Sequence, residues 1–270
     1  MVSVKNLIPA AAAVLMMSTA AASAADLGAP PVYQPQPMVA AQPSGGWYLR
    51  GDIGIGMATS TLTFEQNPLN VSNFAIQHYA TGNTPFINAG IGYEFNNWLR
   101  FDVTGEYRSR TDINAYGIYT FGGGTFGDQY QGFLTSEIVL ANAYIDLGTW
   151  DCITPFIGAG IGAAHNTMND LVDIGIATSG NGIGRDSSSW SPAWALQAGL
   201  AYTVTPDFTV ELAYRYLNYG SVTDTIDCMG GCNPDSYKFG NLTSQDLMLG
   251  MRWNLQPAPV AAPQPISTRG

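Results

Sequence analysis

The chain has 270 residues and a formal net charge of −10, and only 11% of its residues are charged. An ordinary soluble domain has about 25% charged residues. The acidic balance argues against nucleic acid as a partner, since nucleic acid calls for a basic patch. Hydrophobic residues make up 46% of the chain and aromatic residues 11%, which excludes a disordered acidic chain. This composition is typical of a protein whose outer surface faces something other than water.

Residues 1–24 have the pattern of a secretory signal peptide. Lys5 supplies the charged start, residues 10–17 form an apolar run, and the small residues at 22–24 form a cleavage site. The alternative is an N-terminal transmembrane anchor. The run is too short to cross hydrocarbon, however, and small residues end it. We therefore expect residues 1–24 to be removed during export.

Two segments flank the part of the chain that we expect to fold. Residues 25–46 and residues 256–270 are rich in Pro, Gln and Ala and show no apolar period, which predicts extended, solvated tails. The first tail would lie in the periplasm, and residues 47–255 would form the folded domain. After residue 24 no apolar run is long enough for a membrane helix.

Eight segments of residues 47–255 alternate between apolar and polar residues, which is the pattern of β-strands. Each has about 9–11 residues, enough for a tilted strand to cross a bilayer. The predicted strands are residues 47–57, 85–95, 99–108, 139–147, 155–163, 194–204, 208–216 and 246–255. The connections are alternately long and short, with the long ones at residues 58–83, 109–134, 165–193 and 218–243. Long loops at one end and tight turns at the other are typical of a transmembrane β-barrel.

The two faces of these strands differ in charge. One face is apolar and uncharged, whereas the other carries five arginines and seven acids. A soluble sandwich would turn this charged face to water, and we would then expect many lysines on it, but the chain has only Lys5 and Lys238. Arginine and carboxylate in comparable number instead suit a narrow interior in which they pair. The predicted lumen charge network is Arg50, Asp52, Glu94, Arg100, Asp102, Glu106, Arg108, Asp146, Glu211, Arg215, Asp246 and Arg252.

Aromatic residues concentrate at both ends of the predicted strands. Trp47, Trp98, Trp150 and Trp253 lie near the short turns, and Tyr107, Trp194 and Tyr214 lie near the long connections. Two such girdles mark the two interfaces of a membrane barrel. A soluble barrel or sandwich with its apolar face inward remains the alternative, and it is disfavoured by the signal peptide, the strand lengths and the girdles taken together.

Several segments resemble the small outer-membrane β-barrel proteins of alphaproteobacteria. These are opacity-like or OmpA-type eight-stranded barrels that are often labelled porin family or surface antigens. The segments are GWYLRGDIGIG at 46–56, TPFIGAGIG at 154–162, ELAYRYLNYG at 211–220 and LMLGMRWNL at 247–255. The resemblance implies an all-β fold, an eight-stranded antiparallel transmembrane β-barrel with long extracellular loops and short periplasmic turns. It also implies location in the Gram-negative cell outer membrane.

The closing segment is similar to the assembly signal of such barrels, which the barrel-assembly machinery recognises. The residues that carry this likeness are Gly250, Trp253 and Leu255. The segment departs from the family pattern in two ways, because Leu255 replaces the usual Phe and residues 256–270 follow it.

The sequence shows little that would support catalysis, a cofactor or a metal ion. His165 and Thr167 have the two-residue spacing of the His and Ser in some outer-membrane lipid hydrolases. Thr is a poorer nucleophile than Ser, however, and no acid is evidently placed to orient the imidazole. Cys228 and Cys232 are close enough for a small disulfide in an oxidising compartment, which leaves Cys152 unpaired. We expect no enzyme, no cofactor and no metal site.

The favoured function is that of a structural, surface-exposed outer-membrane protein, which supports envelope integrity and makes surface interactions through its loops. Eight strands enclose a space that side chains nearly fill, which makes a small porin for passive diffusion the second choice. A lipid hydrolase is a third possibility. The expected partners are outer-membrane lipid, lipopolysaccharide and the barrel-assembly machinery. The sequence does not identify an extracellular partner.

Overall fold

The structure is a computed structural model that describes residues 45–66, 72–176, 181–229 and 235–255. The predicted signal peptide at 1–24, the greater part of the first tail at 25–44 and the second tail at 256–270 lie outside these ranges. Within the described ranges, no helix is long and apolar enough to cross a membrane.

Ten β-strands account for nearly all of the described residues. They are β1 (Gly46–Gln66), β2 (Ser72–Thr81), β3 (Asn83–Asn96), β4 (Leu99–Phe121), β5 (Gly124–Asp146), β6 (Ile153–Ile176), β7 (Gly182–Gly184), β8 (Ser187–Thr205), β9 (Phe208–Cys228) and β10 (Asp235–Asn254).

Eight of these strands form a closed antiparallel ring. The ring runs β1, β3, β4, β5, β6, β8, β9, β10, and pairing of Tyr48 with Asn254 is part of the ladder that joins β10 back to β1. The two short strands lie beside this ring, since β2 pairs with β4, and β7 pairs with both β6 and β9. The predicted eight-stranded antiparallel barrel is therefore confirmed.

The two ends of the barrel differ in their connections. We call the end with the short connections, at residues 97–98, 147–152 and 206–207, the turn end, and the opposite end the loop end. A closed ring leaves no exposed edge in its ladders, which is the condition for crossing hydrocarbon with strands.

The strands are about twice as long as the sequence pattern indicated, so the prediction of long loops at residues 109–134 and elsewhere was wrong in part. β4, for example, has 23 residues and continues to Phe121, where a turn leads directly into β5. We call the part of the barrel beyond the rows of Tyr107 and Tyr214 the loop-end extension.

A β-bulge explains why the extension escaped the sequence pattern. The register of β4 against β5 shifts between Arg108 and Thr111, so one extra residue enters the strand. Tyr107 points outward and Arg108 inward, but beyond the bulge Asp112 points outward and Ile113 is buried inside. Because the period of two is interrupted, the polar face and the apolar face exchange sides at this point.

The barrel thus has two zones of opposite polarity. In the zone next to the turn end, which we call the lipid-facing zone, apolar side chains such as Ile53, Val103 and Leu200 are about half exposed on the outside. In the extension the apolar side chains instead pack inside as a hydrophobic core. Its members include Leu62, Ile113, Tyr130, Leu134, Met168, Leu171, Leu217, Val222 and Phe239. The first zone suits hydrocarbon and the second suits water.

Glycines on the inner face leave room for large side chains in the lumen. A Cβ atom added at Gly158 would lie 2.6 Å from Cδ1 of Tyr144, and one added at Gly92 would overlap the ring of Tyr48. Both tyrosines are fully buried. The two tyrosine rings therefore fill the narrow interior and pack directly against the glycines of the neighbouring strands.

Candidate functional site

The lumen next to the turn end holds a group of ion pairs that we call the lower cluster. Its members are Arg50, Arg100, Arg252, Asp52, Glu94, Asp102, Asp146 and Glu211. Glu211 is the centre of this cluster. Its Oε1 lies 3.2 Å from Nη1 of Arg100 and 3.1 Å from Nη1 of Arg252, and its Oε2 lies 3.6 Å from Nη2 of Arg50. One carboxylate therefore faces three guanidinium groups that come from three different strands.

Arg50 joins opposite walls of the barrel within the lower cluster. Its Nη2 donates to Oδ1 of Asp52 and its Nη1 to Oδ2 of Asp102, both at 2.9 Å. Nη1 also donates to the Tyr144 hydroxyl at 2.6 Å, and Asn142 Nδ2 donates to Oδ1 of Asp102 at 2.8 Å. These bonds connect β1, β4 and β5, so the cluster cross-braces the barrel.

A second group of ion pairs, the upper cluster, lies closer to the loop end. Glu106 Oε1 accepts from Nε of Arg108 at 2.7 Å, and Glu106 Oε2 accepts from Nη2 of Arg215 at 2.6 Å. Asp246 Oδ2 accepts from Nη2 of Arg215 at 2.7 Å and from Nη2 of Arg108. Two arginines and two acids therefore satisfy one another, with Ser244 donating a further bond to Asp246.

Aromatic rings hold the guanidinium groups in place. Cζ of Arg100 lies 4.3 Å from the ring centroid of Tyr144 and 4.7 Å from that of Phe156. In the upper cluster the ring of Phe86 faces Arg108 at 4.6 Å and Arg215 at 5.0 Å. Cation–π contacts of this kind are strongest where water is excluded.

All twelve residues of the predicted lumen network lie in these two clusters, and most of them are closed to water. The exposed fraction is 1% for Arg100, 2% for Arg215 and 0% for Asp246. Glu94 and Asp146 at the turn end are more open, with 21% and 14% of their side chains exposed. Side chains that lined a water-filled channel would be accessible, so the clusters form a plug across the lumen.

The hydrophobic core of the extension closes the lumen a second time, above the upper cluster. Ile138, Leu140 and Leu217 are buried there, and the Tyr130 hydroxyl donates to the Tyr237 hydroxyl at 3.3 Å. Burial raises the pKa of Tyr130 well above its usual range, and the neighbouring Tyr237 adds to this shift. The alternation pattern did not predict this core, because many of its residues, such as Leu62, Ile113 and Leu171, fall in segments that were expected to be loops.

Outside the barrel, an acid and a histidine meet at the outer rim of the lipid-facing zone. Nδ1 of His165 lies 3.9 Å from Oε2 of Glu137, and the imidazole lies against the Trp190 ring with centroids 5.0 Å apart. The sequence showed no acid evidently placed to orient this imidazole, and Glu137 is an acid that lies beside it. Glu137 was missed because it precedes the predicted strand at 139–147, whereas in the structure it points outward from β5.

The remaining residues singled out by sequence have simple positions. Cys152 is a free, exposed thiol in a short connection. Cys232 and the side chain of Cys228 lie outside the described residues, so their disulfide stays a prediction. In the closing strand, Trp253 and Leu255 are half exposed, and the Leu255 amide donates to the Trp47 carbonyl at 2.8 Å. Gly250 faces inward, where a Cβ atom would overlap the carboxylate of Asp52.

Within the described ranges, no group of three or more His, Cys, Asp or Glu side chains is arranged to hold a metal ion. Some acids of the extension form ion pairs with arginines. Nη2 of Arg185 donates to Oδ1 of Asp227 at 2.5 Å, and the hydrogen bonding of this arginine lowers the pKa of the Asp227 carboxyl.

Comparison with known proteins gives a consistent result. Residues 10–253 match the family model described as outer membrane protein β-barrel domain. The chain is 33% identical over 232 residues to an uncharacterized protein of Brucella abortus, a match that covers 75% of this chain and 78% of the relative. It is 26% identical over 215 residues to a candidate adhesin of Rickettsia conorii, covering 77% of this chain and 82% of the relative. Among solved structures, neisserial surface protein A is 22% identical with a TM-score of 0.42, covering 78% of this chain and 97% of that one.

Proposed function

This chain belongs to the outer membrane protein β-barrel family, and on that premise we propose that it is a structural protein of the outer membrane. In this role it supports envelope integrity and makes surface contacts through its loop end. The observation that carries the proposal is the filled lumen, in which two ion-pair clusters and a hydrophobic core follow one another.

The same observation argues against the porin alternative. A solute would have to break buried charge pairs twice and then cross an apolar core. Removing one partner from a buried, hydrogen-bonded charge pair typically costs about 3–5 kcal/mol, and each cluster contains several such pairs. An open path through the barrel would therefore require a rearrangement of side chains from at least six strands.

The extension supports a role in surface contacts. The strands continue beyond the lipid-facing zone and carry polar side chains such as Thr61, Asp112 and Thr223 on their outer face. The Rickettsia relative is named as a candidate adhesin, which favours contact with another surface. Outer-membrane lipid and lipopolysaccharide would surround the lipid-facing zone. The barrel-assembly machinery would recognise the closing strand, with Gly250, Trp253 and Leu255.

A lipid hydrolase has one observation in its favour, the pairing of His165 with Glu137. The third member that such a site requires is not in position. Thr167 makes no hydrogen bond to His165 among the residues that the structure describes. We therefore expect the refolded barrel to release no fatty acid from phospholipid vesicles.

Uptake of a small hydrophobic dye by cells that lack this protein tests the proposal against the porin alternative. Loss of a structural protein should weaken the envelope and raise dye uptake, and expression of the intact chain should restore the barrier. Loss of a porin should instead lower the uptake of small hydrophilic solutes and leave the barrier to the dye intact. Unchanged dye uptake in the deletion strain would contradict the proposal.

A further inference from the structure

The outer wall of the barrel has a groove of about 400 Å³ between β3, β4 and β5. The residues at outward positions that line it are Ile87, Ala89, Gly105, Tyr107, Glu137 and Val139. The groove lies in the lipid-facing zone and extends to its outer rim, so in the membrane it opens toward the acyl chains and headgroups of lipids.

The shape of the groove follows from two neighbouring rows of paired residues. In the row closer to the turn end, Ala89 pairs with Gly105 and Gly105 with Val139, and the small residues form the floor. A Cβ atom added at Gly105 would have no atom within 4 Å, so this part of the wall is empty on the outside. In the next row Ile87, Tyr107 and Glu137 pair in the same order and form the rim.

The floor of the groove is suited to hydrocarbon. Val139 in the floor row is 50% exposed, and no charged side chain lies among the floor residues Ala89, Gly105 and Val139. In the membrane the gain comes from packing, because a void beside these atoms loses dispersion contacts that a chain following the surface restores. An acyl chain fits this requirement because it can follow a shallow surface.

An exposed acidic side chain, that of Glu137, lies at the rim of the groove. The side chain of Glu137 is 69% exposed, and in the described part of the chain its carboxylate accepts no hydrogen bond. His165 at 3.9 Å is its only ion-pair neighbour there, and it carries charge only when it is protonated. The guanidinium of Arg110 is engaged by Asp112 and by the ring of Phe133.

From this geometry we propose that the groove binds one acyl chain of a lipid whose headgroup carries a primary amine. The chain lies against Gly105 and Val139, and the ammonium group pairs with the carboxylate of Glu137 at the rim. Tyr107 stands beside this carboxylate and belongs to the outer aromatic girdle, at the depth where headgroups begin. The site does not depend on whether the lumen conducts, so it stands apart from the proposed function.

Native mass spectrometry of the refolded barrel tests the site. The probes are phosphatidylethanolamine and phosphatidylglycerol with identical palmitoyl and oleoyl chains. The unmodified chain should retain one phosphatidylethanolamine and prefer it roughly two- to fivefold, the size expected for an exposed ion pair. Glu137→Gln should still retain a lipid but lose the preference. Gly105→Leu fills the floor of the groove and should lose the retained lipid.

Ala198→Leu is the matched control, because Ala198 is a small outward residue on β8, away from the groove. It should retain lipid like the unmodified chain, and the heat-dependent gel mobility of folded barrels should show that all variants fold. Three results would overturn the proposal. These are equal retention by Gly105→Leu and the unmodified chain, no preference between the two lipids, or a dimer that Gly105→Leu dissociates, since a second copy would then fill the groove.

Discussion

At the scale of single residues, the stability of the lumen depends on how many partners each charge has. Glu211 faces three guanidinium groups and is 3% exposed. In the described part of the chain Glu94 has a single ion-pair contact, with Nε of Arg252 at 3.5 Å, and its side chain is more open. When the charge of a buried acid with several partners is removed, water cannot enter to take over its contacts, so the partners are left unsatisfied. The two glutamates therefore form a pair of test sites with the same side chain and different surroundings.

Glu211→Gln keeps the size of the side chain but leaves three buried arginines without their shared acid. We expect it to lower the free energy of unfolding in lipid vesicles by about 3–5 kcal/mol. Glu94→Gln is the control, and its cost should stay below about 1 kcal/mol because the contact is single and partly hydrated. Equal costs for the two variants would show that the lower cluster does not carry stability.

Alternation along the strands was enough to place the twelve lumen charges on the inner face, but it did not identify Glu137. The inner face can be identified from the sequence because the arginines and acids of the predicted strands all fall on the same set of alternate positions. Glu137 lies on the outward face of β5. From sequence alone, a charged residue at an outward position indicates a loop, because the sequence does not show where along the strand the lipid ends. Its pairing with His165 depends on the register between β5 and β6, which the sequence does not reveal.

At the scale of strands, the bulge in β4 divides one strand into a lipid-facing part and a water-facing part. The predicted strand at residues 99–108 ends where the bulge begins, because alternation holds only while the outer face meets lipid. Beyond it the outer face is polar and the inner face apolar, as in a soluble barrel. Two other register shifts place one extra residue in β10, opposite Thr59 and Thr61 of β1, and one in β6, opposite Gln131 and Phe133 of β5.

Two arginine substitutions on the outer face of β4 test this division. Val103→Arg would place a charge among acyl chains, and we expect a loss of roughly 2–4 kcal/mol in unfolding free energy near the bilayer midplane. Asn114→Arg lies on the same strand and also points outward, but in the extension, so its effect should be within about 0.5 kcal/mol. The measurement is equilibrium unfolding in vesicles. A larger loss for Asn114→Arg would mean that lipid covers the extension instead.

At the scale of the whole molecule, the barrel is closed by three successive layers of side chains. The lower cluster, the upper cluster and the hydrophobic core follow one another from the turn end to the loop end. The first two layers follow from the charges that the sequence places inside a narrow barrel. The third arises only because the strands extend beyond the membrane and exchange their faces, so the sequence pattern did not predict it. Together they make the interior a structural element of the protein.

Conductance of the refolded barrel in a planar lipid bilayer tests this central claim most directly. If the three layers stay packed, insertion of the unmodified chain should produce no steady current steps at moderate voltage. Arg108→Ala combined with Arg215→Ala, which removes both cations of the upper cluster, serves to show whether that layer contributes to the seal. Reproducible, long-lived conductance steps from the unmodified chain would contradict the account, because ions would then pass a lumen that the structure describes as closed.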